Sequence, residues 1–188
     1  MQHEKVEHYL RTHHGRFVRE LCDYLRFPSI SADTRYTKDV RNCAQWLVAH
    51  CHKNGLTAEL HRTNGNAVVV ARTPRQARSR KPHYLVYGHY DVQPPEPLKL
   101  WKSPPFQPRI VGPSLFGRGA SDNKGQHFAH LKAAEAYLKT GTELPCDLTF
   151  VIEGEEEIGS PSLANFLRKH RKRLRCDAVV ISDSSIAG

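Results

Sequence analysis

Three short apolar runs, separated by longer helix-forming segments, constrain the fold of this chain more than any other feature of its sequence. His83 to Tyr87, Leu148 to Ile152 and Ala178 to Ile181 lack polar alternation and are predicted to form buried strands. Lys124 to Lys139 is predicted to be helical, and Ser160-Pro161 supplies a capping residue and a first-turn proline for another helix. This alternation predicts an α/β fold with a mostly parallel sheet flanked by helices.

The first part of the chain predicts two helices followed by a hairpin. Apolar residues recur at helical spacing in Val6 to Leu25 and in Lys38 to Lys53. Two β-rich runs, Thr57 to His61 and Ala67 to Ala71, flank the turn sequence Asn64-Gly65-Asn66. Both helices and the hairpin precede the predicted buried strands and are expected to belong to the same α/β fold.

Length and composition favour one soluble domain. The chain has 188 residues, of which 39% are hydrophobic and 25% are charged. No apolar run approaches the roughly 20 residues of a membrane span, and Met1 to Leu10 lacks the apolar centre of a secretory signal. Five scattered cysteines without a CxxC pair predict reduced thiols. We therefore expect a cytoplasmic protein without membrane association.

The formal charge of +9 raises the alternative of a nucleic-acid-binding protein. The positive charge concentrates in Arg72 to Lys81 and Arg168 to Arg175, and neither segment is interleaved with stacking aromatic residues. A solvated loop and a solvated helix end explain these segments better, so no nucleic-acid partner is expected. Pro94 to Pro113 contains seven prolines and predicts a long ordered loop.

Side chains that can bind metal follow each of the predicted buried strands. His89 and Asp91 follow the first strand, Glu153 to Glu157 the second, and Asp183 the third, while Asp122 precedes the helix between the first two. Ligands in open α/β sheets bind outside the carboxyl ends of the strands. These residues are therefore predicted to converge at one edge of the sheet.

Taken singly, each of these residues has a structural interpretation. A glutamate run is also typical of a solvated loop or a helix start, and a lone aspartate is typical of a helix cap. Their joint occurrence at strand ends favours a metal site instead, because clustered carboxylates raise one another's pKa unless a cation neutralises them. An imidazole beside carboxylates suits zinc and also manganese or cobalt. Asp91 is predicted to accept the imidazole proton of His89 and orient its metal-binding nitrogen.

Four ordered blocks of the sequence run from Gly88 to Pro94, from Trp101 to Phe106, from Gly117 to Gly125 and from Glu153 to Ser160. Together these blocks resemble metallopeptidase family twenty, which includes carnosinase, aminoacylase, acetylornithine deacetylase and carboxypeptidase G. The residues of the first and last blocks are most similar to those of the carnosinase-like dipeptidases. The resemblance extends from the opening helix to the last residue.

The resemblance implies hydrolysis of a peptide bond in dipeptides or short peptides by a water that two divalent ions, most readily zinc, activate. It implies that His89 and Asp183 bind the first ion, that Asp122 bridges both ions and that Glu157 binds the second. It also implies that Glu156 is the general base. The peptide bond between Asp122 and Asn123 is expected to be cis.

Two departures from the family pattern qualify these expectations. The family's second metal also needs a histidine near the end of a much longer chain, and a lid and dimerisation domain interrupts its catalytic domain. Residues 1–188 are therefore expected to form the N-terminal part of a truncated zinc-exopeptidase-like catalytic domain, whose longer form is a homodimer. Alternatives are an inactive metal-binding fragment, an N-acyl amino acid deacylase of the same family and, less favoured, a two-metal phosphoesterase.

Overall fold

The computed structural model describes residues 2–74 and 79–184, and its helices and strands follow the predicted order. They are α1 (Gln2–Leu25), α2 (Thr37–Lys53), β1 (Thr57–His61), β2 (Val68–Arg72), β3 (His83–His89), β4 (Arg109–Val111), β5 (Ser114–Phe116), α3 (Lys124–Thr140), β6 (Asp147–Glu153), α4 (Leu163–His170) and β7 (Ala178–Ile181). Both predicted N-terminal helices, the hairpin, the helix after Asp122 and the three predicted strands are present.

Five of the strands form one sheet in the order β1-β2-β6-β3-β7. Strand β3 pairs in parallel with β6 and with β7, whereas β2 is antiparallel to both of its neighbours. Four of the five strands therefore run in one direction, which confirms the mostly parallel sheet. Because β3, β6 and β7 are parallel neighbours, their carboxyl ends lie side by side at one edge.

Helices cover both faces of this sheet. Helices α1, α2 and α3 share the larger core cluster, which includes Val69 and Ala71 of β2. Helix α4 contributes Phe166 to a smaller cluster on the opposite face, with Val68 and Val70 of the same strand. Successive residues of a strand point to opposite faces, so the continuous apolar run of β2 is explained by burial on both sides.

A buried polar network joins the three helices on the first face. The ammonium of Lys132 donates to Glu20 Oε2 at 2.6 Å, to Glu135 Oε2 at 2.7 Å and to His50 Nε2 at 2.8 Å. Arg16 bridges the same two glutamates. Burial, together with the charge of Lys132, lowers the pKa of His50 to about 4, so its ring is a neutral acceptor. Paired charges therefore fix α1 against α3, and the hydrogen bond from Lys132 to neutral His50 joins α2 to them.

Three details differ from the sequence predictions. Strand β7 is an edge strand of the described sheet, and Val179 and Ile181 are 54% and 63% exposed, so its predicted burial is wrong. Helix α4 begins at Leu163 and not at Ser160, whose hydroxyl donates to Glu153 Oε1 at 2.7 Å instead of capping a helix. The predicted proline-rich loop ends in the β4–β5 hairpin.

Two other predictions, on the cysteines and on the basic segment from Arg168 to Arg175, are confirmed within the described part of the chain. All five cysteines are free thiols. Every Arg and Lys between positions 168 and 175 is exposed, whereas residues 75–78 of the other predicted basic segment lie outside the described residues. Among the residues that the structure describes, no helix combines the length and apolar character that crossing a membrane requires.

Gly154, which directly follows β6, is a position where the fold leaves no room for a side chain. A Cβ atom there would lie 2.3 Å from the ring and hydroxyl of Tyr90. Tyr90 is fully buried, and its hydroxyl donates to the carbonyl oxygen of Ala67 at 2.7 Å. The absence of a side chain at Gly154 lets Tyr90 anchor the β1–β2 turn beneath the strand ends.

We predict that Gly154→Ala lowers the free energy of unfolding by about 1–3 kcal/mol, because the added methyl group displaces the Tyr90 ring. The matched control is Gly15→Ala in α1, where the nearest atom to a new Cβ is 3.6 Å away. That control should raise the free energy of unfolding by about 0.5–1 kcal/mol. Denaturant titrations measure the free energy of unfolding of both variants. Equal stability of the Gly154 variant and the parent chain would show that position 154 has room for a side chain beside Tyr90.

Candidate metal centre

His89, the last residue of β3, is the centre of the polar cluster at the sheet edge. Its side chain is fully buried. The ring Nδ1 lies 3.1 Å from the carbonyl oxygen of Asp91 and 3.4 Å from Asp91 Oδ1. A proton on Nδ1 therefore has two acceptors, which leaves Nε2 to face the carboxylates in front of the ring.

Three carboxylates from separate segments surround His89 Nε2. Asp122 Oδ1 lies 3.1 Å from this nitrogen, Asp183 Oδ2 lies 3.6 Å away and Glu156 Oε2 lies 3.8 Å away. His89, Asp122 and Asp183 each offer one ligand atom within 4.8 Å of the others. The structure thus brings together the residues predicted from the ends of β3 and β7 and from the start of α3.

Glu157 belongs to a second group of close ligand atoms, with His89 and Glu156, and not to the group that contains Asp122. Its carboxylate is held by Gln93, which donates its backbone N–H to Oε1 at 3.1 Å and its side-chain amide to Oε2 at 2.7 Å. Glu156 and Glu157 form a single turn of 3₁₀ helix after β6. Both predicted glutamates therefore face the same site.

The electrostatics of the cluster favour a bound cation. Burial raises the pKa of Glu156, and the nearby charges of Asp183 and Asp122 raise it further. Burial opposes protonation of His89, but its hydrogen bond to Asp91 and the surrounding carboxylates raise its pKa to about 9. A cation relieves this repulsion. One imidazole nitrogen with several carboxylate oxygens is a donor set that fits zinc, manganese or cobalt.

Asp91 does more than the sequence predicts. Its side chain is fully buried, and it accepts hydrogen bonds from the backbone N–H groups of Glu156 at 3.3 Å and Glu157 at 3.1 Å. Because its backbone carbonyl is the nearer acceptor for His89 Nδ1, the residue contacts the imidazole through two of its oxygen atoms. Asp91 therefore links the histidine to the glutamate turn.

Asn123 is a fully buried support that the sequence reasoning did not assign to the site. Its Oδ1 accepts the backbone N–H of His89 at 3.2 Å and the ring Nδ1–H of His127 at 2.9 Å. Its amide nitrogen donates to Asp183 Oδ1 at 3.2 Å. The peptide bond between Asp122 and Asn123 is cis, as predicted. The strand-end rule missed Asn123 because an amide adjoining Asp122 carries no charge signal.

Lys124 is a second missed support and is also fully buried. Its ammonium donates to the carbonyl oxygens of Tyr24 at 3.3 Å and Phe27 at 2.9 Å, at the end of α1. Burial lowers its pKa, and the charge of Asp91 partly opposes that shift. The first residue of α3 is thereby tied to the end of α1, which fixes the position of Asp122 two residues earlier. In the sequence, Lys124 was indicated only by its place in the block from Gly117 to Gly125, which resembles the family.

The glutamate run after β6 divides into residues of two kinds. Glu153 and Glu155 are buried, whereas Glu156 and Glu157 reach the cluster. Glu155 accepts the backbone N–H of Asn66 at 3.0 Å and that of Ser162 at 3.2 Å. Its role is therefore to join the β1–β2 turn to the segment before α4. The sequence run alone does not separate these roles.

The sequence of this chain is similar to those of known proteins. The sequence model of peptidase family M20/M25/M40 matches residues 85–188. The Cys-Gly metallodipeptidase dug1 of Schizosaccharomyces pombe is 32% identical over 180 residues, which are 89% of this chain and 38% of that protein. The chain therefore spans about two fifths of the length of this relative.

Solved structures show the same fold. The crystal structure of human carnosine dipeptidase 1 matches with a TM-score of 0.89 and 28% identity, covering 97% of this chain and 41% of that chain. The M20 family metallo-carboxypeptidase Sso-CP2 from Sulfolobus solfataricus matches with a TM-score of 0.81 and 35% identity, covering 90% and 38% of the two chains. These similarities confirm the predicted family and the α/β fold.

We predict that Glu155→Gln lowers the free energy of unfolding by about 1–3 kcal/mol, because an amide offers one acceptor oxygen where the buried carboxylate serves two N–H donors. Zinc affinity should not change, since Glu155 belongs to neither group of close ligand atoms and accepts from Asn66 and Ser162 instead. The control is Glu143→Gln, whose side chain is 72% exposed, and it should change stability by less than about 0.5 kcal/mol. Weaker zinc binding by the Glu155 variant would contradict its assignment as a structural residue, separate from Glu156 and Glu157.

Proposed function

Because the chain belongs to peptidase family M20/M25/M40, we propose that its strand-end site binds divalent metal and serves the hydrolysis of peptide bonds in dipeptides or short peptides. The observation that carries this proposal is the convergence of three carboxylates on His89 Nε2, at distances from 3.1 to 3.8 Å. The metallodipeptidase and dipeptidase names of the relatives support the substrate class.

We propose that His89, Asp122 and Asp183 hold one divalent ion and that Glu157 contributes to a second, with zinc as the preferred metal. Both groups of close ligand atoms support this division, as does their mixture of imidazole and carboxylate donors. Residues 1–188 would then supply the N-terminal, metal-binding part of a catalytic domain. The coverage of about two fifths of a relative agrees with a partial domain.

Each residue of the site has a task in the proposed reaction. His89, Asp122, Asp183 and Glu157 would hold the divalent ions, which would supply Lewis-acid polarisation of the scissile carbonyl and acidification of the attacking water. Glu156 takes a proton from that water and passes it to the leaving amine. Asp91 holds the His89 ring in place through contacts to Nδ1. Gln93 fixes the direction of the Glu157 carboxylate.

We predict that Glu156→Gln lowers dipeptide turnover by about 10²–10⁴-fold, the usual contribution of a general base, while zinc binding stays as in the parent. Glu157→Gln should reduce turnover and also remove the weaker phase of the zinc titration. Turnover is measured with a panel of dipeptides, both on this chain and on a protein of the relatives' length that contains it.

Measurable turnover is expected only in the longer protein. The two glutamine substitutions are matched controls for each other, because they remove the same charge from adjacent positions. Equal loss of zinc in both variants would contradict the separate roles of Glu156 and Glu157. Parental turnover by the Glu156 variant would contradict the proposed mechanism itself.

We predict that residues 1–188 alone retain one zinc ion per chain after desalting. Both ligand groups share His89, whose Nδ1 faces Asp91, so its remaining nitrogen serves one ion at a time. Carboxylates alone leave the second ion with too few ligands for tight zinc binding.

Elemental analysis counts the retained zinc and distinguishes the two ligand groups. Asp183→Asn should lose the ion, whereas Glu157→Gln and the distant control Asp23→Asn should keep it. Two zinc ions held tightly by the parent chain would show that the second group is a complete site. Retention of zinc by the Asp183 variant would show that the first group is not the tight site.

A further inference from the structure

We propose that Ser31 is a positioning residue of the metal centre, which acts by fixing the carboxylate of Asp91. Its hydroxyl donates to Asp91 Oδ2 at 2.6 Å. Ser31 does not belong to either group of ligand atoms, and it lies sixty residues before Asp91 in the sequence. The inference rests on the proposed metal-binding function and adds a residue to it.

Within residues 2–74 and 79–184, the Asp91 carboxylate has four polar neighbours, and each of its oxygens has a distinct set. Oδ1 lies 3.4 Å from His89 Nδ1 and accepts the backbone N–H of Glu156. Oδ2 accepts the backbone N–H of Glu157 at 3.1 Å and the hydroxyl of Ser31. Of these partners, Ser31 is the one that belongs to neither the histidine strand nor the glutamate turn. It therefore fixes the carboxylate relative to both.

The backbone that carries Ser31 is itself held firmly. Ile30 forms an isolated parallel bridge with Val92 and is 1% exposed. The backbone N–H of Val92 donates to the carbonyl oxygen of Ser29 at 3.0 Å. The segment after α1 therefore runs alongside the residues that follow β3. This attachment sets the position of the Ser31 hydroxyl, so the hydroxyl acts as a fixed donor.

The physical consequence concerns both metal-binding groups at once. Without the hydroxyl, Asp91 Oδ2 loses its charge-assisted hydrogen bond and the carboxylate gains rotational freedom. Rotation would misalign the His89 ring on one side and the Glu156–Glu157 turn on the other, because both contact the same carboxylate. Loss of such an outer partner typically weakens metal binding by about 10–100-fold.

Ser29 provides a matched control for a purely structural role. Its side chain is fully buried, and its hydroxyl donates at 2.6 Å to the carbonyl oxygen of Tyr90, the residue before Asp91. Ser29→Ala therefore removes a hydrogen bond of the same length between the same two segments. It leaves the Asp91 carboxylate and its partners in place.

The test uses residues 1–188 with Ser31→Ala, Ser31→Thr and Ser29→Ala. Zinc affinity is measured by competition with a chromogenic chelator, the cobalt(II) absorption spectrum reports ligand geometry, and melting temperatures are recorded in excess chelator. We expect Ser31→Ala to weaken zinc binding by about 10–100-fold and to change the cobalt spectrum. Ser31→Thr, which keeps the hydroxyl, should restore both. Ser29→Ala should lower the melting temperature at least as much but leave zinc affinity and the spectrum unchanged.

Three results would overturn the inference while leaving the proposed function intact. They are parental zinc affinity in Ser31→Ala, equal loss of affinity in Ser31→Ala and Ser29→Ala, and equal loss in folded Ser31→Ala and Ser31→Thr. Failure of the parent chain to bind zinc at all is a different result. It would overturn the proposed function, and the inference with it.

Discussion

The buried carboxylate of Asp91 is the interaction on which the rest of the site depends. It contacts the ring of His89, both backbone N–H groups of the Glu156–Glu157 turn and the hydroxyl of Ser31. These partners come from the end of β3, the end of β6 and the segment after α1. These donors give the buried carboxylate the hydrogen-bond partners that a buried polar group requires. One side chain thus sets the relative positions of the imidazole and the glutamates that line the site.

Repulsion between the carboxylates around His89 is the main energetic cost of this arrangement. Two unit charges at about 4 Å interact by roughly 4 kcal/mol at an effective dielectric constant of about 20, and several carboxylates meet around His89. Solvent screens part of this repulsion, because the side chains of Asp122 and Glu156 are 63% and 36% exposed. The fold retains the cluster because hydrogen bonds from Gln93 and Asn123 satisfy individual carboxylates. The remaining repulsion favours a divalent cation, so the proposed metal binding would follow from the way the fold places these side chains.

The sequence allowed the fold class, most of its elements and the site's charged residues to be predicted. Alternating apolar runs and helical segments predicted the sheet, and the rule that ligands bind at strand ends predicted His89 and Asp183. The roles of Ser31 and Gln93 could not be predicted in this way, because their hydrogen bonds join residues 60 and 64 positions apart. Local patterns do not contain such contacts. The burial of β7 was predicted wrongly because an apolar run gives no information on whether a strand lies at an edge.

The hydrogen bonds behind the site also explain why an amide suits position 123. Burial lowers the pKa of His127, so its ring is neutral, accepts the Tyr24 hydroxyl at Nε2 and donates from Nδ1 to Asn123 Oδ1. The same oxygen accepts the N–H of His89, so the amide NH₂ must point toward Asp183. A second carboxylate here would present a lone pair to Asp183 unless it carried a proton. Asn123 therefore supplies a neutral donor that directs Asp183 without adding to the negative charge in front of His89.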